Sequence, residues 1–212
     1  MKVLMSSGGI AMTNSFVVAD DQAKVAVLFD APDHTAQDLL DEVDRQGWKL
    51  IGLWLTHGHF DHVADHEVVT KRFPEAKVLI HKLDEPKLQN PNSSMFVLPF
   101  TIPPRNADAN VTDGERLHIG SLEVEVIHTP GHSPGHVMYH IASEKLLIGG
   151  DLIIGGSVGR TDLPDSSHAH LEASIRRVMQ LPDDTRLLPG HGQPDTLGYE
   201  RETNPYVQQA IR

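Results

Sequence analysis

Leu50-Ile51-Gly52-Leu53-Trp54-Leu55-Thr56-His57-Gly58-His59-Phe60-Asp61-His62 sets four potential metal ligands directly behind an apolar run. The run Leu50–Leu55 reads as a buried strand, and the polar residues behind it as the loop at its end. His57 and His59 are two apart, so in extended backbone both imidazoles point the same way. Asp61 and His62 open the next helix, whose apolar spacing runs over His62–Phe73 and stops at Pro74. Alone, Asp61 would read as a helix cap and one histidine as a polar surface residue. Three histidines and an aspartate at one strand end read instead as a ligand set.

Three more strand ends repeat the arrangement. Leu122–Ile127 empties into His128-Thr129-Pro130-Gly131-His132-Ser133-Pro134-Gly135-His136. Lys145–Ile148 empties into Gly149-Gly150-Asp151, and Arg186–Leu188 into Pro189-Gly190-His191-Gly192. Glycines beside each candidate let the backbone turn sharply and approach a ligand closely. One His or Asp at the end of each of several strands is how a site is assembled at a sheet edge. Further strand patterns fall at Phe16–Val18, Val25–Phe29, Lys77–Ile80, Glu115–Ile119 and Val137–Ile141, with a hairpin at Gly120-Ser121. Helical spacing covers Thr35–Gln46, with Thr35 as N-cap and Gly47 closing it, and also His168–Gln180 and Glu200–Ile211. Strands at both ends with helices between them predict a layered α/β protein.

The bulk numbers narrow the function classes. The 212 residues suit a single domain, 1–212. The formal net charge of -11 repels phosphate backbones, so nucleic acid is not an expected partner. No apolar run reaches about 18 residues, so no membrane span is expected. The start, MKVLMSSGGIAMTNSF, lacks the apolar core of a signal peptide, and a cytoplasmic location is expected. Cysteine is absent, so any metal is held by His, Asp or Glu. Most of the 14 histidines gather in a few clusters. His57, His59, Asp61, His62, His132, Asp151 and His191 exceed the needs of one tetrahedral zinc. They suit two metals sharing a bridging carboxylate, with zinc, iron or manganese favoured over calcium.

In this order THGHFDH, TPGH, GGD and PGHG resemble the signature of the metallo-β-lactamase superfamily, and Thr13-Asn14-Ser15-Phe16 is similar to the family's first strand. The resemblance implies an αββα four-layer sandwich. It also implies that His57, His59 and His132 hold a first metal, that Asp61, His62 and His191 hold a second, and that Asp151 bridges them. Zinc is the expected ion. Within the family, Asp61 and His62 together with His191 resemble the glyoxalase II (hydroxyacylglutathione hydrolase) branch. Gly159-Arg160-Thr161-Asp162-Leu163-Pro164 looks like the motif of its short bacterial members, and is also similar to a segment of the single-iron persulfide dioxygenases. The implied activity is hydrolysis of glutathione thioesters such as S-lactoylglutathione. Two metals lower the pKa of a bound water to near neutral, and Asp61 orients that nucleophile or takes its proton. Only Gly198–Arg212 stand where longer relatives carry a cationic helical region, so weak selectivity for the thiol half is expected. A persulfide dioxygenase and a phosphodiesterase or nuclease of the same superfamily are the rival activities.

Some residues carry less. Arg160 either binds a substrate carboxylate bidentately or pairs with Asp162. His136 is expected to brace its loop, His128 and His140 to be ordinary strand residues, and His66 to sit on a solvated helix face. Asn90–Gly114, rich in proline, is either functional or a disordered insertion.

Overall fold

The computed structural model describes residues 1–93 and 97–212. They divide into two compact units, Met1–Val111 with His118–Leu122, and Thr112–Leu117 with Glu123–Arg212.

The first unit carries a six-stranded sheet, β1 (Lys2–Gly8), β2 (Thr13–Asp20), β3 (Val25–Phe29), β4 (Lys49–Trp54), β5 (Lys77–His81) and β6 (Ala109–Val111), in that order. The first three strands pair antiparallel and the last four parallel, so β3 serves both patterns. Parallel neighbours require crossovers. These are α1 (Ala36–Gln46), the pair α2 (Phe60–Val63) and α3 (His66–Arg72), and a longer link containing α4 (Glu85–Gln89). Every position of β2 is buried, as are Ala26–Phe29 of β3. Val17, Leu28, Leu53 and Ile80 pack with Leu40, Val43, Val63, Val69 and Leu88 into one core.

The second sheet is built of β7 (Arg116–Ile119), β8 (Leu122–His128), β9 (Val137–Ile141), β10 (Leu146–Gly150), β13 (Arg186–Pro189) and β14 (Asp195–Thr196), ordered β14-β13-β10-β9-β8-β7. A small hairpin, β11 (Ile153–Ile154) with β12 (Ser157–Val158), follows β10. In the sheet β10 and β13 pair in parallel, joined through α5 (His168–Val178). Leu171, Ile175 and Val178 of α5 pack with Met138, Leu147, Leu187, Leu197 and Val207, the last two from α6 (Leu197–Thr203) and α7 (Pro205–Ala210).

Several boundaries depart from the sequence reading, each for a local reason. The helix expected over His62–Phe73 is broken between α2 and α3. The Asp65 amide donates to Ala31 O, outside the helix, and the Asp65 carboxylate accepts from the Thr35 and Ala36 amides. Asp65 therefore caps α1, while the Thr35 hydroxyl turns away to Pro32 O. Gly47 closes α1 in the left-handed region at φ 67°, as expected. The helix expected over Glu200–Ile211 is two helices, because Asn204 is extended and caps α7 ahead of Pro205. The proline-rich stretch is not a wholly disordered insertion. Asn92 exchanges two hydrogen bonds with Ile102, which is fully buried, and the segment ends in β6 beside β5. Among the described residues no helix is long and apolar enough to cross a membrane.

Candidate metal centre

In the first unit the carboxyl ends of β3 and β4 carry the chemistry. Asp30, one residue past β3, is buried in the left-handed region at φ 56°. Its Oδ1 accepts the Thr56 amide, and its Oδ2 accepts both the Thr56 hydroxyl and His62 Nδ1, each at 2.8 Å. The Thr56 proton is thereby committed, so at the 3.1 Å contact with His57 Nδ1 the hydroxyl oxygen accepts. His57 and His62 are both fixed with the proton on Nδ1 and the lone pair on Nε2. His57 Nε2 lies 3.1 Å from His59 Nδ1, and the His57 and His62 rings are 4.1 Å apart. His62 Nε2 is 3.6 Å from Asp61 Oδ2. Gly58 between the two histidines donates its amide to Asp84 Oδ2, and a Cβ there would stand 2.7 Å from Asp84 O and 2.8 Å from Lys87 Cβ. Helix α4 thus holds the loop down, and only glycine fits beneath it.

In the second unit the centre of the arrangement is Asp151, just past β10. Its Oδ2 lies 3.5 Å from His132 Nε2 and 3.3 Å from His191 Nε2. His132 Nδ1 donates to Arg160 O at 3.0 Å, which again leaves the lone pair on Nε2, facing the carboxylate. His136 Nε2 accepts the Asp151 amide at 2.9 Å, so its Nδ1 donates to the Thr129 hydroxyl at 2.8 Å. Both His136 nitrogens are spent on the backbone and the loop, so it braces the loop as its position suggested. Gly190 N to Gly150 O at 2.7 Å ties the β13 end to the β10 end. A Cβ on Gly159 would lie 2.0 Å from Asp151 O and 3.0 Å from the His132 ring, so the chain beneath both residues has no room for a side chain.

The arrangement has a definite chemical sense. A neutral imidazole that gives its Nδ1 proton to a fixed acceptor and aims Nε2 at a carboxylate places two electron-rich atoms face to face. A cation between them relieves that repulsion, and anchoring the far nitrogen is how ligating histidines are oriented. The donor set, imidazole with a little carboxylate and no thiolate, suits zinc, iron or manganese. The residues fit such an ion.

Of the residues singled out in the sequence, His57, His59, Asp61 and His62 are brought together in the first unit, and His132, Asp151 and His191 in the second. Arg160 pairs with Asp162 through Nε to Oδ1 at 2.6 Å and Nη2 to Oδ2 at 2.8 Å. The pairing holds the Asp162 carboxyl down at about 2. The Arg160 backbone carbonyl is the part that touches a candidate ligand. His66 corrects the sequence reading. It is buried rather than solvated, bonded through Nε2 to Pro103 O at 2.8 Å, and burial lowers its pKa. Sequence reasoning missed Asp30, Asp84 and Thr13. Asp30 carried a signal, since it ends a strand as the chosen ligands do.

Comparison with known proteins gives a consistent answer. The family profile described as "Metallo-beta-lactamase superfamily" matches residues 8–191 and so runs through both units. Hydroxyacylglutathione hydrolase GloC of Haemophilus influenzae is 31% identical over 209 residues, 92% of this chain and 92% of GloC. The crystal structure of BLEG-1 B3 metallo-beta-lactamase superposes with a TM-score of 0.89 at 34% identity, covering 97% of this chain and 99% of BLEG-1. TTHA1623, solved in a di-iron-bound form, gives a TM-score of 0.85 at 34% identity over 96% of this chain and 99% of TTHA1623.

Proposed function

This chain belongs to the metallo-β-lactamase superfamily, with its mixed α/β fold of two sheets and its hydrolase chemistry, and from that premise we propose that it is a thioesterase acting on glutathione thioesters such as S-lactoylglutathione. The observation that carries the reading is the common orientation of His57, His62 and His132, each pinned through Nδ1 and presenting Nε2. The family implies a binuclear metal site. His57, His59 and His132 would hold one ion, Asp61, His62 and His191 the other, and Asp151 both.

When bound, such ions supply a water of near-neutral pKa and polarise the substrate carbonyl. The chain's own residues supply the rest. Asp30 and Thr56 keep His57 and His62 in the ligating tautomer. His136 and Arg160 O keep Asp151 and His132 in place. Asp61 orients the attacking water and receives its proton. No strong general acid is needed, because a thiolate leaves readily, and this favours a thioester over an amide or a phosphodiester. The relative named hydroxyacylglutathione hydrolase supports the same substrate class. The likeness to BLEG-1 favours a second reading, β-lactam hydrolysis with the same residues. The di-iron form of TTHA1623 keeps iron beside zinc as the ion.

The test measures metal content of the purified protein, then incubates zinc- and iron-loaded samples with S-lactoylglutathione, a cephalosporin and glutathione persulfide. Two ions per chain and cleavage of the thioester are expected. Cephalosporin cleavage without thioester cleavage would move the assignment to the second reading. Oxygen uptake with the persulfide, by the iron form alone and without thioester cleavage, would overturn both.

A further inference from the structure

We propose that Thr13 is a positioning residue for the second ion. Its buried hydroxyl sets the Asp61 carboxylate so that it can share a cation with His62. The inference rests on the ligand set given above and extends it to a residue outside every histidine cluster.

Thr13 is the first residue of β2 and has no solvent exposure. Phe16 pairs with Phe29 on β3, and Phe29 with Trp54 on β4. The start of β2 therefore lies along the same sheet edge as the ends of β3 and β4, where Asp30 and the histidine loop sit. That register brings Thr13 to a residue 48 positions further along the chain. Thr13 Oγ1 donates to Asp61 Oδ2 at 2.7 Å. The direction is fixed, since an ionised carboxylate only accepts. At this length, and with a charged acceptor, the bond is of the strong class.

The accepting oxygen is the informative detail. Asp61 Oδ2 is also the oxygen that stands 3.6 Å from His62 Nε2. The atom that would meet an ion beside His62 is therefore the atom the threonine holds. Asp61 lies in the first turn of α2, where no side chain caps the helix from His59. An unanchored carboxylate in a first turn is drawn to the helix's own amides. The hydroxyl, fixed on a strand buried along its whole length, keeps Asp61 turned towards His62 instead. His62 is anchored from the other side by Asp30, so both members of the pair are set by residues of neighbouring strands.

Thr13→Val keeps the shape of the side chain and removes the donor, and Thr13→Ser keeps the donor in a smaller side chain. Ion affinity is read by competition of zinc with a chromophoric chelator, and activity by kcat and KM separately. In Thr13→Val the first ion is expected to bind as in the wild type, and the second about 10–100-fold more weakly, the usual cost of losing a ligand's orienting partner. At saturating zinc kcat recovers most of its loss and KM is unchanged. Thr13→Ser restores the second affinity. A wild type that binds two ions and a Thr13→Val protein that holds the second as tightly would overturn this inference alone. Equal losses in the valine and serine variants would overturn it as well, by showing a packing role. A wild type that binds a single ion would overturn the two-ion reading and this inference together.

Discussion

Asp30 accepts three hydrogen bonds, two from Thr56 just past β4 and one from His62 in α2, and the chemistry of two candidate ligands follows from that. Its two oxygens accept and never donate, so the Thr56 and His62 protons have only one arrangement. Asp30→Asn turns one oxygen into a donor. In either orientation of the amide, the new N–H group faces the Thr56 amide or the Thr56 hydroxyl and His62 Nδ1. We expect a 10–100-fold loss of metal affinity. Stability should fall by about 1–3 kcal/mol as a buried donor loses its acceptor. Chelator competition and urea denaturation check the two effects, and unchanged affinity would show that His62 keeps its tautomer without Asp30. The candidate ligands were read from the sequence because each group follows an apolar run, with a glycine beside His57, His59, His132, Asp151 and His191. Asp30 and Thr13 were not read as site residues, because their roles depend on which strands are neighbours. Neither residue carries that information alone.

Elements were legible where apolar spacing runs without competition. Val25–Phe29, Leu122–His128 and Val137–Ile141 stand as expected, since alternating or continuous apolar residues leave no other pattern available. The β1 strand was missed because it is a sheet edge, half exposed, with Ser6, Ser7 and Gly8 at its end. The two broken helices failed for a different reason. Spacing records which faces are apolar, and it cannot record that a polar side chain is spent on another element. Asn204 is the sharper case. It is fully buried, its Oδ1 caps the Tyr206 and Val207 amides, and its Nδ2 donates to Ser157 O and Glu200 Oε2. It thereby ties α6, α7 and the β11–β12 hairpin together. Asn204→Ala removes the cap and leaves Ser157 O and the buried Glu200 short of a donor. The sum of a lost cap and an unsatisfied buried group is about 2–4 kcal/mol. Denaturant unfolding measures it. A loss below about 0.5 kcal/mol would mean that water replaces the asparagine, as at an exposed position.

For the molecule as a whole, the pH dependence of stability has one contribution that runs against the usual trend. Where a carboxylate is held low by partners, as Asp20 is by the Ser121 hydroxyl and amide, its contribution to stability is lost as the pH falls. Asp195 does the opposite. Burial, then the hydrogen bond and charge of the neighbouring Glu200, raise its carboxyl to about 7 from an ordinary 3.8. Glu200 is fully buried, and its two oxygens accept from Gly156 N and Asn204 Nδ2. Below about 3.8 the Asp195 carboxyl is protonated in both the folded and the unfolded chain, and its burial has no pH-linked cost. Between about 3.8 and 7 the unfolded chain releases the proton and the folded chain keeps it, so stability falls as pH rises. Above about 7 both forms are ionised and the loss is complete. Asp195 is only partly buried and lines an open cavity of about 600 Å³ with Gly192, Gln193 and Tyr199. Solvent screening therefore cuts the linked free energy to on the order of 1 kcal/mol. Asp195→Asn keeps a donor towards Glu200 at every pH and carries no charge. Its melting temperature should match the wild type near pH 4 and exceed it by about 2–4 °C above pH 7, with the gap opening in between. Thermal melts of both proteins across that range decide the matter. A constant difference would place the Asp195 proton outside the folding equilibrium, and a gap that closes with rising pH would overturn the raised pKa of Asp195.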